Sequence, residues 1–257
     1  MKELIKTYSF RFILIWLLNF GIQTNAQSLT GTRGLIKAPT ARMYESGTLA
    51  IGMGYVPAKF YKRTFNDWYG REQFQGYRTG NAGLTTFITV NLTSFMEVMF
   101  RYTHELNMEV SPQTTYFPDR MFTARFKLLK EKKNRPSIVL GLQDFTEALG
   151  SSSCTGCANF TATYLVGSKL FNYKEFSFDV SFGYAADLFD LPAKDMKGFF
   201  GGVEIKYSEF ENAQLLLDYD TQSFNIGLQG YLFNRIHTVI GLMDFEPMFI
   251  LAYRYKI

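Results

Sequence analysis

From residue 47 to the end of the chain, large apolar side chains alternate with small or polar ones. In the stretch 176–184, FSFDVSFGY, Phe176, Phe178, Val180, Phe182 and Tyr184 share one face of an extended strand. Ser177, Asp179, Ser181 and Gly183 share the other. A period of two with unlike faces marks a strand lying between two different surroundings. The same pattern predicts strands at 47–55, 82–92, 96–106, 120–128, 137–145, 159–170, 176–184, 198–207, 213–219, 223–232, 236–243 and 249–257. That makes about twelve, an even count that suits a barrel with both chain ends on the periplasmic side. Long connections (56–80, 107–119, 146–158, 185–197) alternate with short ones (93–95, 171–175, 208–212, 233–235), although the fourth, 130–136, is intermediate and the ninth and eleventh are shorter than the alternation wants. Long extracellular loops and short periplasmic turns produce that alternation, and a soluble sandwich has no reason for it. The expected fold is all-β: a transmembrane antiparallel up-and-down β-barrel.

Strand parity assigns the inside. Glu97, Arg101, Glu105, Arg125, Lys127, Asp179, Glu204, Lys206, Asp218, Arg254 and Lys256 all stand opposite the apolar rows. Turning the register by one residue would move these charges into lipid, at roughly 2–4 kcal/mol for each basic residue near the midplane. Both signs are present, which argues against a strongly ion-selective pore. It favours a lumen laced by side chains or a narrow polar channel.

The chain also resembles itself. Asn134-Arg135, Val139-Leu140-Gly141-Leu142 and Asp144-Phe145 are matched, at the same spacing, by Asn234-Arg235, Val239-Ile240-Gly241-Leu242 and Asp244-Phe245. Leu92-Thr93-Ser94-Phe95 resembles Tyr207-Ser208-Glu209-Phe210, and Gly52-Met53-Gly54-Tyr55 resembles Ser181-Phe182-Gly183-Tyr184. Two six-strand repeats are one explanation; chance likeness among Gly-rich aromatic strands is the other.

Lys2, Lys6 and Arg11 precede the apolar run FILIWLLNF (12–20), and Thr24-Asn25-Ala26 offers a small-x-small cleavage site. Residues 1–26 therefore read as a cleaved signal peptide. Residues 27–46 contain Gly31, Gly34 and Pro39 and show no strand period. They are expected as an N-terminal segment, either periplasmic or plugging the barrel mouth, with the barrel itself at 47–257.

Composition narrows the function. Charged residues are 19% and aromatics 17%, with 26 Phe and 16 Tyr. The first figure is low for a soluble domain, and the second suits aromatic girdles at two membrane interfaces. A net charge of +4 is too small and dispersed to argue for nucleic acid. The charge run 130–136, KEKKNRP, reads as a solvated turn.

Catalytic and metal signatures are sparse. His104 and His237 are the two histidines, and neither has a Ser two positions on, as a lipolytic barrel strand would need. Both read as interfacial side chains. Cys154-Thr155-Gly156-Cys157 could be a redox centre, half a zinc site, or a small disulfide clasp in an extracellular loop. The clasp is favoured in an exported chain that offers no second ligand pair. Walker, dinucleotide-binding, Ser-elbow and HExxH signatures are missing. The expectation is a non-enzymatic protein without a cofactor or metal.

Gly34-Leu35-Ile36, Pro39-Thr40-Ala41-Arg42-Met43 and Gly47-Thr48-Leu49, taken with the run Arg135-Pro136 to Asp144-Phe145, resemble the YjbH-type exopolysaccharide and capsule barrels. That resemblance implies an outer-membrane β-barrel of a Gram-negative bacterium, serving exopolysaccharide or capsule export or assembly. Its partners would be outer-membrane lipids, polysaccharide and other envelope export proteins. Members of that type are much longer and often lipoprotein-like, whereas this sequence has room for one barrel. Tyr61, Trp68, Tyr69, Arg71 and Tyr77 in the first long loop could stack on sugar rings, or form a loop packed on itself or an interfacial belt. A general small-solute porin is the alternative function.

Overall fold

The computed structural model describes residues 27–61, 63–65, 74–77, 80–107, 119–145, 161–186, 188, 195–210, 212–232 and 235–256. The expected signal peptide and the Cys154–Cys157 pair lie outside the described residues.

Twelve strands close into one antiparallel barrel. They are β1 (Thr48–Val56), β4 (Gly83–Asn91), β5 (Met96–Glu105), β6 (Asp119–Leu129), β7 (Ser137–Gln143), β8 (Ala162–Tyr173), β9 (Phe176–Ala186), β10 (Gly198–Tyr207), β11 (Ala213–Tyr219), β12 (Phe224–Leu232), β13 (Ile236–Met243) and β14 (Glu246–Lys256). Each pairs with the next, and β1 closes the cylinder against β14, with Thr48 opposite Lys256 and Tyr55 opposite Phe249. Closure leaves no sheet edge, which is the condition for placing backbone amides in hydrocarbon.

Outward rows carry Ile88, Phe100, Leu165, Phe182, Phe199 and Ile240, each between 46% and 63% exposed. Inward rows are mixed: Thr85, Glu97, Arg125 and Asp218 stand there among buried Met99, Met121, Val139 and Leu216. A soluble barrel has these faces reversed, since each exposed large apolar side chain forgoes about 1.5–3 kcal/mol of burial in water. The arrangement is that of a transmembrane barrel.

Three expectations change, the first being that β8 runs to Tyr173 rather than ending at 170. The span 56–80 is not all loop, because β2 (Arg63–Phe65) and β3 (Phe74–Tyr77) form a separate two-stranded sheet within it. The last strand begins at Glu246 rather than 249, leaving a tight turn after β13 in which Asp244 and Phe245 both take positive φ.

The internally similar segments occupy equivalent places. Split after β8, each half has six barrel strands, and the two NR…GLxDF segments form the fifth strand of each, β7 and β13. Asp144 and Asp244 both take left-handed φ, at 53° and 45°. Their amides donate to the carbonyls of Phe122 and Phe224, each on the fourth strand of its half. The other two similar pairs fall on the turn after the second strand and on the first strand of each half.

Residues 27–44 run inside the cylinder, and Glu45 and Ser46 are exposed at its rim. Gln27, Ser28, Leu35, Ile36, Ala38 and Ala41 are at most 1% exposed. Two inward glycines make room for this segment. A Cβ at Gly202 would come within 2.6 Å of Leu35 Cδ1, and one at Gly227 within 3.1 Å of Ile36 Cδ1.

Candidate functional site

The lumen is the place where this chain brings its polar groups together, and several of them meet the N-terminal segment. The segment folds on itself first. Leu29 N donates to the Ile36 carbonyl at 2.8 Å, Leu35 N to the Ala38 carbonyl at 3.0 Å, and Ser28 N to the Thr32 carbonyl at 2.9 Å. Gly31, with φ of 90°, makes the first bend in a conformation that costs glycine little.

The wall then holds the segment largely by its main chain. Asp218 on β11 accepts from Lys37 N and Ala38 N through the same oxygen, at 2.9 Å each. Ser168 on β8 accepts from Ala41 N at 2.7 Å, and Ser137 on β7 donates to the Ala41 carbonyl at 3.0 Å. Asn91 on β4 donates to the Tyr44 carbonyl at 3.1 Å, and Thr89 donates to the Gly31 carbonyl.

Arg125 on β6 is the centre of this network. It is fully buried, ion-pairs with Glu97 on β5 at 2.7 Å, and donates to the carbonyls of Arg33 (2.9 Å), Arg42 (3.2 Å) and Thr40. A guanidinium offers five donors in a rigid fork, so one side chain can gather a carboxylate and three carbonyls from a folded loop.

Side chains of the segment are recognised as well, Lys37 and Arg42 by buried or part-buried carboxylates. At the tip, Lys37 Nζ lies 3.1 Å from both Asp195 and Asp220, near the ends of β10 and β11 remote from the chain termini. Burial alone would lower the Lys37 pKa, but the two carboxylates outweigh it and hold the ammonium above its ordinary value. For Asp220, burial pushes up, while Lys37 and the amides of Ser223 and Gln222 pull down further, so the carboxyl ends below its ordinary range. Toward the other rim, Arg42 grips Asp179 through two bonds of 2.7 Å and reaches Glu131 at 2.5 Å. Bidentate pairing of this kind adds geometric specificity to charge.

The residues assigned to the lumen from parity are placed as follows. Glu97, Arg101, Glu105, Arg125 and Asp218 are buried inside the barrel. Lys127, Asp179, Glu204, Lys206 and Arg254 are half-buried. The Arg254 guanidinium lies over the rings of Tyr44 and Tyr231, at 5.6 and 5.5 Å. Lys256 is exposed at the rim, where it pairs with Glu45.

His104 faces outward, edge-on to Tyr102 at 4.5 Å. His237 is not interfacial. It shares the inward row of β13 with Val239 and Met243, is 3% exposed, and lies 3.1 Å from the Gln229 side-chain oxygen.

In the first long connection, Tyr61 is 1% exposed, and a Cβ at Gly83 would meet its ring at 2.5 Å. A ring packed into the core has no face to offer a sugar, so Tyr61 leaves the proposed glycan-contact set. Trp68, Tyr69 and Arg71 lie outside the described residues, and Tyr77 is described only as part of the β3 backbone.

Among the described residues, no group of three or more His, Cys, Asp or Glu is placed to hold a metal ion. No helix there is long and apolar enough to cross a membrane, which says nothing of strands.

Comparison with known proteins gives three findings. No curated protein matches the sequence. Among solved structures the chain is similar to the KdgM porin, at 10% identity and a TM-score of 0.44, covering 82% of this chain and 99% of that one. It is also similar to the COG4313 outer membrane channel from Pseudomonas putida F1, at 9% identity and a TM-score of 0.41, covering 83% and 96%. The family model YjbH, described as "Exopolysaccharide biosynthesis protein YbjH", matches residues 73–236. That match spans more than half of the chain, from the first long connection to the start of β13, and the chain therefore belongs to the YjbH family.

Proposed function

We propose that this chain is a non-enzymatic outer-membrane barrel of exopolysaccharide or capsule export or assembly, kept closed in its resting state by residues 27–46. The family description supports the glycan role. The outward apolar rows support the membrane. The observation that carries the resting closure is the lumen itself, in which wall side chains from β4, β6, β7, β8, β9 and β11 bond to one folded segment. A barrel of eight strands is filled by its own side chains, whereas sixteen or more leave an aqueous channel. Twelve strands lie between, and this chain fills the difference with its own N-terminal segment.

That filling disfavours the alternative of a general small-solute porin, which needs a standing aqueous path. Passage of any polymer through this barrel requires the segment to move. The contacts that hold it are hydrogen bonds, ion pairs and apolar packing of Leu29, Leu35 and Ile36, all reversible.

Two experiments test the reading. Purified protein in planar bilayers is expected to pass little steady current, and a variant lacking residues 28–42 to pass a large one. Steady porin-like conductance from the intact chain would favour the alternative. Deleting the gene under conditions where it is expressed should change surface polysaccharide; an unchanged surface glycan would remove the exopolysaccharide role while leaving the barrel.

A further inference from the structure

The connection between β6 and β7 carries more than a turn needs. Residues 130–136, KEKKNRP, place Lys130, Lys132, Lys133 and Arg135 in exposed positions. The equivalent connection in the second half, between β12 and β13, needs only residues 233–235 and one basic residue, Arg235. Closing this hairpin therefore does not demand the cluster.

The turn is also held in one shape. Lys132 N donates to the Arg135 carbonyl at 3.1 Å, and Arg135 N returns to the Lys132 carbonyl at 3.2 Å. From β8, Lys169 Nζ donates to the carbonyls of Lys132 (2.5 Å), Lys133 (2.9 Å) and Arg135 (3.4 Å). The one acid in the turn, Glu131, is taken up by Arg42 at 2.5 Å, Lys169 at 3.4 Å and the Leu170 amide at 3.1 Å. Among the described residues, none of the four exposed cations forms an ion pair.

Location names the partner. Lys169 stands in the outward row of β8 with Leu165, Phe171 and Tyr173, which are 48%, 53% and 65% exposed. Exposed Leu128 and Leu129 lead directly into the turn. The cations thus sit where the apolar belt ends, at the rim that carries both ends of the barrel (Thr48 and Lys256). Where a lipid-facing row stops, the surroundings change from acyl chain to headgroup, and basic side chains there attract anionic lipid.

We propose that the β6–β7 turn, braced by Lys169, is a binding site for the phosphate of an anionic phospholipid in the leaflet at that rim. The proposal rests on the barrel spanning a membrane. Lys132, Lys133 and Arg135 supply the charge, Lys169 positions the turn, and the outward Leu and aromatic residues meet the acyl chains.

The test uses the full chain in detergent, with phosphatidylglycerol or phosphatidylcholine added and retained lipid read by native mass spectrometry. The wild type should retain phosphatidylglycerol preferentially, and less so as salt rises. K132Q/K133Q/R135Q, which leaves every turn hydrogen bond described above in place, should lose that preference, with affinity falling about fivefold for each charge removed. Equal retention of both lipids by the wild type, or an undiminished preference in the variant, would overturn the site. So would a variant that keeps phosphatidylglycerol but loses binding to dextran sulfate, since the occupant would then be an anionic polymer. Co-fractionation of both proteins with vesicles separates the outcomes. A wild type that fails to co-fractionate refutes the membrane barrel, and one that co-fractionates without lipid preference refutes this site alone.

Discussion

Replacing Arg125 with Met should open the lumen while leaving the barrel folded. Arg125 is fully buried and contacts both Glu97 and three carbonyls of the N-terminal segment. Each bond from a charged donor to a carbonyl contributes about 1.5–3 kcal/mol, with losses not strictly additive. Removing three weakens the hold on residues 27–46 by roughly 3–6 kcal/mol even when only partly additive, which shifts the closed-to-open ratio by ~10²–10⁴. The barrel pays separately, because Glu97 is left buried without its partner, a loss of about 3–5 kcal/mol for a broken buried pair. Adding Glu97→Leu removes that orphaned charge, so E97L/R125M should be more stable than R125M although it carries one more substitution. It should remain as open as R125M, because Glu97 makes no bond to the segment. Planar-bilayer conductance reads the opening, and denaturant midpoint in vesicles reads the stability. If R125M conducts no more than wild type, or if the double variant is the less stable of the two, the network does not work as described.

The remaining predictions probe other parts of the same architecture. The Lys37 node should be insensitive to pH across the neutral range. Asp220 has its folded pKa lowered, so its contribution is present above the unfolded value near 3.8 and is lost only as pH falls through the lower folded value. Lys37 has its folded pKa raised, so its contribution is full below the unfolded value of 10.5 and is lost only as pH rises through the higher folded value. A Lys37–Asp220 coupling energy, from a double-mutant cycle, that falls between pH 7 and 5 would contradict that. Gly141→Ala should destabilise the barrel, since a Cβ there would stand 2.1 Å from the Tyr164 ring, at about 1–3 kcal/mol for overpacking; an unchanged denaturant midpoint would refute the close approach. Leu165→Arg, in the outward row of β8, should cost roughly 2–4 kcal/mol if it lies near the bilayer midplane. Folding into vesicles with wild-type stability would place that face in water.

The barrel was legible because each strand meets oil on one side and a packed lumen of small, polar and apolar groups on the other, so each leaves a period of two in the sequence. Boundaries at 198–207, 213–219 and 236–243 coincide with β10, β11 and β13. The same parity placed Glu97, Arg125 and Asp218 inside. It also carried the signal for His237, which shares the row of Val239, but a position at the start of a strand invited an interfacial reading instead.

The N-terminal segment was less legible for a physical reason. Most of its bonds to the wall go through main-chain groups that every residue possesses, as at Asp218, Ser168 and Arg125. Its own side chains therefore show no periodicity, and those that find partners on the barrel, Gln27, Lys37, Arg42, Tyr44, Glu45 and Ser46, follow no strand spacing. The small β2–β3 sheet was missed because strands of three and four residues are too short for alternation to register.

One measurement reaches the central claim directly. With Cys154 and Cys157 replaced by Ser, Ala41→Cys and Ser168→Cys are introduced together, at positions joined by a 2.7 Å bond between Ala41 N and Ser168 Oγ. Mild oxidation of membrane fractions followed by peptide mass spectrometry should recover the disulfide between positions 41 and 168, and a membrane-impermeant maleimide should label position 41 poorly. Ready labelling at 41 with no cross-link to 168 would mean that the segment lies outside the barrel.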